Sequence, residues 1–223
     1  MNNLTEVKKD WKSIPYFKQY TPTKYYAILG CFVVGFRLEA VNGWNKYRPY
    51  FVTYPLWKES LNAIFKYPLL YIITLTNKNT TLDIPYEKHH YYFPDVNECC
   101  KSLFPFAFKR NVHYQEVLDF FTRFSNNYFV VNELINSIRL IECEFYFLLY
   151  LNDYERIDKL IALINKKSKV WDMKLFNHWR GDYDRWLEGL ISMTNDRDSF
   201  LKQIETNINS EKLRKLPRYN LIP

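Results

Sequence analysis

The feature that most constrains this chain is a change of hydrophobic period near its middle. Phe32, Val34, Phe36, Leu38 and Ala40 alternate with Val33, Gly35, Arg37 and Glu39, a period of two. From Asp95 onward the apolar residues fall at helical spacing. Alternation sends neighbouring side chains to opposite faces of a strand, whereas i, i+3, i+4 and i+7 share one face of a helix. Strands followed by helices point to an α+β fold, with N-terminal antiparallel hairpins and a C-terminal bundle of about five helices packed on them. The division falls at residues 1–94 and 95–223. No low-complexity linker separates the two parts, so one compact domain or two tightly packed lobes is expected.

The first β run ends at Val41-Asn42-Gly43-Trp44, and Asn-Gly between alternating runs is a strong hairpin signal. A type I′ turn there pairs Glu39 with Lys46, Leu38 with Tyr47 and Arg37 with Arg48. Pro49 cannot donate to a ladder, so its strand is expected at an edge or a bend. A second pair of runs, Leu69–Thr76 and Thr80–Ile84, flanks Asn77-Lys78-Asn79, and Leu61, Ile64 and Phe65 between the pairs have helical spacing. In the second half, helical stripes run through Val117–Phe124, through a long helix over about 129–151, and through Ile157–Ile164 and Phe200–Ile208. Asp172–Met193 reads as a helix interrupted by Gly181. Asp95 with Glu98 has capping-box spacing.

Several function classes are disfavoured. No apolar run is long enough to cross a bilayer, and the N-terminus has no apolar signal core, so a cytoplasmic protein without membrane contact is expected. Cys31, Cys99, Cys100 and Cys143 lack metal-site spacing and read as buried thiols. Gly30 and Gly35 have the glycine spacing of a phosphate loop without its Lys-Ser/Thr. No cofactor is called for.

Two stretches carry candidate chemistry. In Ile84–Asp95 (IPYEKHHYYFPD), the adjacent His89 and His90 diverge on either a strand or a helix. Glu87 with His89 is the pair that could share a strand face. The bracketing prolines make the segment a connector from sheet to helices. In Phe176–Leu187, His178, Asp182 and Arg185 fall at i, i+4 and i+7, and a His–Asp pair can orient a general base. No nucleophile with recognisable context accompanies it, and Trp171, Trp179 and Trp186 recur as a buried stripe would. No catalytic or metal-ligating residue is therefore assigned.

The third candidate is a surface. The net charge of +7 lies entirely in the N-terminal half: residues 1–112 carry 15 Lys/Arg against 8 Asp/Glu, and the rest 16 against 16. In the hairpin, Arg37, Trp44, Lys46, Arg48 and Tyr50 project from one face, opposite Phe36, Leu38, Tyr47 and Phe51. These outward residue types anchor protein interfaces. The sequence thus points to a non-enzymatic binding protein that meets an acidic protein surface, of which a bacterial immunity or antitoxin-type protein is one concrete form. The alternative is nucleic-acid binding through the same face. The third reading is a hydrolase or metal-dependent enzyme using His178 with Asp182, or His89 with Glu87.

Overall fold

A computed structural model describes residues 3–73, 81–126 and 133–223. Helix α1 (Asn3–Ser13) precedes strands β1 (Lys18–Thr21), β2 (Lys24–Leu29), β3 (Phe32–Ala40) and β4 (Lys46–Pro55). Helix α2 (Leu61–Lys66), β5 (Leu70–Ile73) and β6 (Ile84–Pro85) follow. The strands form one antiparallel sheet in the order β1-β2-β3-β4-β5, with β6 also on β4. Of the expected second hairpin, the described parts β5 and β6 each pair with β4, and Asn77-Lys78-Asn79 with its flanking residues lies outside the described residues.

The first hairpin forms where Asn42-Gly43 places it, but its register is two residues from the expected one. Glu39 faces Arg48 and Arg37 faces Tyr50, so the two arginines are not opposed. Gly43 has φ +77° while Asn42 stays at negative φ, which excludes type I′. Trp44 N–H closes the turn on Val41 O at 3.0 Å, and Val41 N–H bonds Lys46 O at 2.9 Å, leaving a four-residue loop. A shift of two preserves side-chain parity, so the expected faces hold: Phe36, Leu38, Tyr47 and Phe51 are all buried. Pro49 lies in a central strand, opposite Leu38 of β3, and on the other edge of β4 it falls in the gap between the pairs Tyr47↔Ile84 and Tyr50↔Ile73. Gly35 is obligatory: a Cβ there would stand 1.9 Å from the Tyr25 carbonyl oxygen.

The remaining helices are α3 (His89–Leu103), α4 (Tyr114–Ser125), α5 (Leu134–Leu151), α6 (Tyr154–Lys167), α7 (Met173–Arg180), α8 (Tyr183–Asn195) and α9 (Arg197–Ile208). The chain is therefore α+β, and residue 94 falls inside α3 rather than at a boundary. Asp95 and Glu98 also lie within α3, so they cap nothing. The helix starts instead from a 3-10 turn over Tyr86–Lys88. The early part of the expected 129–151 helix lies outside the described residues. Asp153, Asp172 and Asp182 cap α6, α7 and α8 by accepting the backbone N–H three residues on. Asn152, at φ +64°, ends α5 in the left-handed conformation that tolerates Asn.

One hydrophobic cluster spans both halves. The inner sheet face packs on α1, α3 and α5: Trp11 and Phe36 ring centroids lie 5.3 Å apart, Phe51 stacks on Phe104 at 4.1 Å, and Phe32 stacks on Phe147. Near the C-terminus, Ile28 in β2 bonds Pro217 O and Tyr219 N–H, and β8 (Asn220–Ile222) pairs in parallel with β7 (Asn111–His113). No helix among the described residues is long and apolar enough to cross a membrane.

Candidate functional site

The outer sheet face divides along its length. Toward Pro55, Phe65 of α2 covers it, stacking on Tyr26 at 5.7 Å and meeting Tyr54 edge-on at 5.1 Å. Toward the hairpin turn, Arg37, Glu39, Arg48, Tyr50 and Tyr71 are half-buried side by side. Tyr50 stacks on Tyr71 with centroids 4.1 Å apart. Arg37 pairs with Glu39 at 2.7 Å, and its guanidinium lies 5.9 Å from the Tyr71 ring centroid. Arg48 forks onto Asp83, Nε to Oδ1 at 2.7 Å and Nη2 to Oδ2 at 3.1 Å, and its Nη1 donates to Tyr50 Oη at 3.3 Å. Asp83 raises the Arg48 pKa, while burial and then the Glu39 carboxylate raise that of Tyr71. At the turn, Trp44 is 67% exposed and Lys46 Nζ sits 5.1 Å from its ring centroid. Every candidate interface residue thus lies on this face or at its tip. The sequence reading missed Asp83, because it arrives from the segment before β6.

The paired histidines resolve differently. His90 is exposed, while His89 is fully buried at the first turn of α3. Trp11 Nε1 donates to Tyr47 Oη at 3.1 Å, Tyr47 Oη lies 2.8 Å from His89 Nδ1, and His89 Nε2 lies 3.2 Å from Asp10 Oδ2. Indole is only a donor, so the consistent arrangement has Tyr47 donating to Nδ1 and Nε2–H donating to Asp10. Burial lowers the His89 pKa, opposed by the Asp10 carboxylate. The chain joins α1, β4 and α3 and exposes only its Asp10 end. Glu87 does not partner His89; its Oε2 accepts from Asn45 Nδ2 at 3.0 Å. No cluster of three metal-ligating side chains occurs among the described residues.

The expected single face of His178, Asp182 and Arg185 does not exist. Gly181, at φ +80°, ends α7, and Asp182 begins α8 with its carboxylate on Arg185 N–H. The tryptophan stripe also breaks. Trp171 and Trp186 pack with Phe176 and Tyr183, but Trp179 is 46% exposed, with the Arg139 guanidinium 5.1 Å from its ring centroid. Beneath it, Glu142 of α5 is buried: Oε2 accepts from Arg180 Nη2 and Oε1 from Trp186 Nε1 at 2.9 Å. Burial raises the Glu142 pKa, and Arg180 opposes that shift. No protein-family model, curated protein or solved structure matches this chain.

Proposed function

We propose that the chain is a binding protein that docks an acidic surface of another protein through the hairpin end of its outer sheet face, in the manner of an immunity or antitoxin-type neutraliser. The observation that carries this reading is exposed Trp44, with half-buried Lys46 against its ring, beside immobilised Arg37, Arg48, Tyr50 and Tyr71. Residues already held in one conformation lose little entropy on binding, and Trp, Tyr and Arg dominate interface energetics. Glu39 and Asp83 on the same face favour a protein's mixed charge over a polyphosphate, whose backbone would meet both carboxylates.

The test is capture from the native host with wild type and with Trp44→Ala/Lys46→Glu. Both positions are on the surface, so the variant should fold. One protein retained near stoichiometry through high salt by wild type, and lost by the variant, is the expected result. Nucleic acid captured at low salt and shed at high salt would replace the reading with nucleic-acid binding.

A further inference from the structure

At the opposite end of β4 from the hairpin turn lies a cleft of about 740 Å3. Its walls are the segment from Pro55 to Leu69, which carries α2, and the facing parts of α5 and α7. Its volume is within the range of small-molecule sites. Lys58, Lys66, Arg139 and Arg180 line it with His178, against one lining carboxylate, Glu59.

The charge at its floor is unbalanced. Lys58, Arg139 and Arg180 all act on one carboxylate, buried Glu142. Its two oxygens are engaged by Arg180 and Trp186. Among the described residues Arg139 has no ion pair, and its charged contact is with the Trp179 ring. Burial, and next the like charge of Arg180, hold the Arg139 pKa down. A half-buried guanidinium crowded by a second guanidinium is stabilised by an added anion.

The cleft is also pre-formed. Asn207 of α9, itself buried, donates to Leu56 O at 2.8 Å and Lys58 O at 2.6 Å, and Gln203 donates to Lys58 O at 3.1 Å. Trp57 packs on Tyr146 at 4.0 Å. The backbone that presents Lys58 is therefore fixed from below. Two exposed rings stand in the walls, Trp179 and Tyr67, the latter 69% exposed with Lys66 Nζ 5.4 Å from its centroid. An exposed ring already associated with a cation offers a planar ligand a stacking surface beside positive charge.

We propose that this cleft binds a small phosphorylated ligand bearing a planar ring, of the nucleoside phosphate class. Arg139, Lys58 and Arg180 take the phosphate, and Trp179 or Tyr67 takes the ring. The site is independent of the hairpin surface proposed above.

The experiment is isothermal titration calorimetry of the full chain at low salt. The probes are the four common ribonucleoside monophosphates, the corresponding free nucleosides and inorganic phosphate. At least one nucleoside monophosphate should bind more tightly than both inorganic phosphate and its own nucleoside. Arg139→Gln and Lys58→Gln should each weaken it by about tenfold, the loss of one charge-assisted contact. Of Trp179→Ala and Tyr67→Ala, the one that removes the stacking ring should bring the nucleotide down to the level of inorganic phosphate. Trp44→Ala/Lys46→Glu should leave it unchanged, which separates this site from the hairpin surface. Lys58 is in a loop and Arg139 in a helix, so one variant serves if the other fails to fold. The proposal is overturned if no nucleotide binds at millimolar concentration, if phosphate binds as well as nucleotide, or if folded variants bind as wild type does.

Discussion

The two ends of β4 handle positive charge in opposite ways. At the hairpin end each arginine has its own carboxylate, Arg37 with Glu39 and Arg48 with Asp83. At the far end Arg139, Arg180 and Lys58 share buried Glu142, and Arg139 is left to an aromatic ring. Neutralised charge positions side chains and stiffens a surface; unneutralised charge held in a cleft is a standing electrostatic cost that a ligand can remove. The difference separates a face built for shape from a pocket built for charge.

The strongest way to break this comparison lies in the buried polar chain beneath the hairpin, where pairing is complete. His89→Ala opens a cavity and leaves the buried Tyr47 O–H without its acceptor, and should cost about 3 kcal/mol in urea unfolding. A loss below about 1 kcal/mol would mean that the site relaxes or admits water. Asp83→Ala should cost about 1 kcal/mol, since its fork with Arg48 is roughly one-third exposed. The Arg48→Ala/Asp83→Ala double variant should cost less than the two single losses combined.

A pH series sharpens the same contrast. Burial disfavours the protonated form of His89 in the folded state, while the unfolded chain takes up a proton below 6.5. The folded pKa is depressed, so this stability is present above 6.5 and lost as the pH falls below it. Wild type should therefore lose stability relative to His89→Gln on acidification through that range. The smallest effect belongs to the cleft. Arg139→Gln should change unfolding stability by no more than about 0.5 kcal/mol, because it removes a cation crowded by another. A loss above about 2 kcal/mol would show Arg139 to be a structural member, as a group in a satisfied pair is.

Face assignment in the hairpin was legible because it depends only on parity, and a slip of two residues leaves parity intact. The register itself was not, since it turns on whether Asn42 takes positive φ, and the dipeptide permits both outcomes. The helical stripes of Val117–Phe124 and Ile157–Ile164 were plain, whereas α1 was missed, although Val7 and Trp11, one turn apart in it, are buried. The His89 chain was hidden because Asp10, Trp11, Tyr47 and His89 come from three elements. The cleft was hidden likewise: its cations come from Lys58, Lys66, Arg139 and Arg180, and no local run marks them. The spacing of Trp171, Trp179 and Trp186 suggested a stripe, but Trp171 precedes α7, Trp179 lies in it and Trp186 follows Gly181 in α8, so the three share no helix.

The distribution of the six tryptophans gives the chain its own set of optical probes. Trp11 is sealed and hydrogen-bonded, Trp44 stands in solvent at the hairpin tip, and Trp179 stands in the wall of the cleft. An aqueous quencher should darken the last two and spare the first, leaving a blue-shifted residual emission. Single replacement of Trp44 or Trp179 then assigns each quenched component, so occupancy of the tip and of the cleft can be followed separately by light alone.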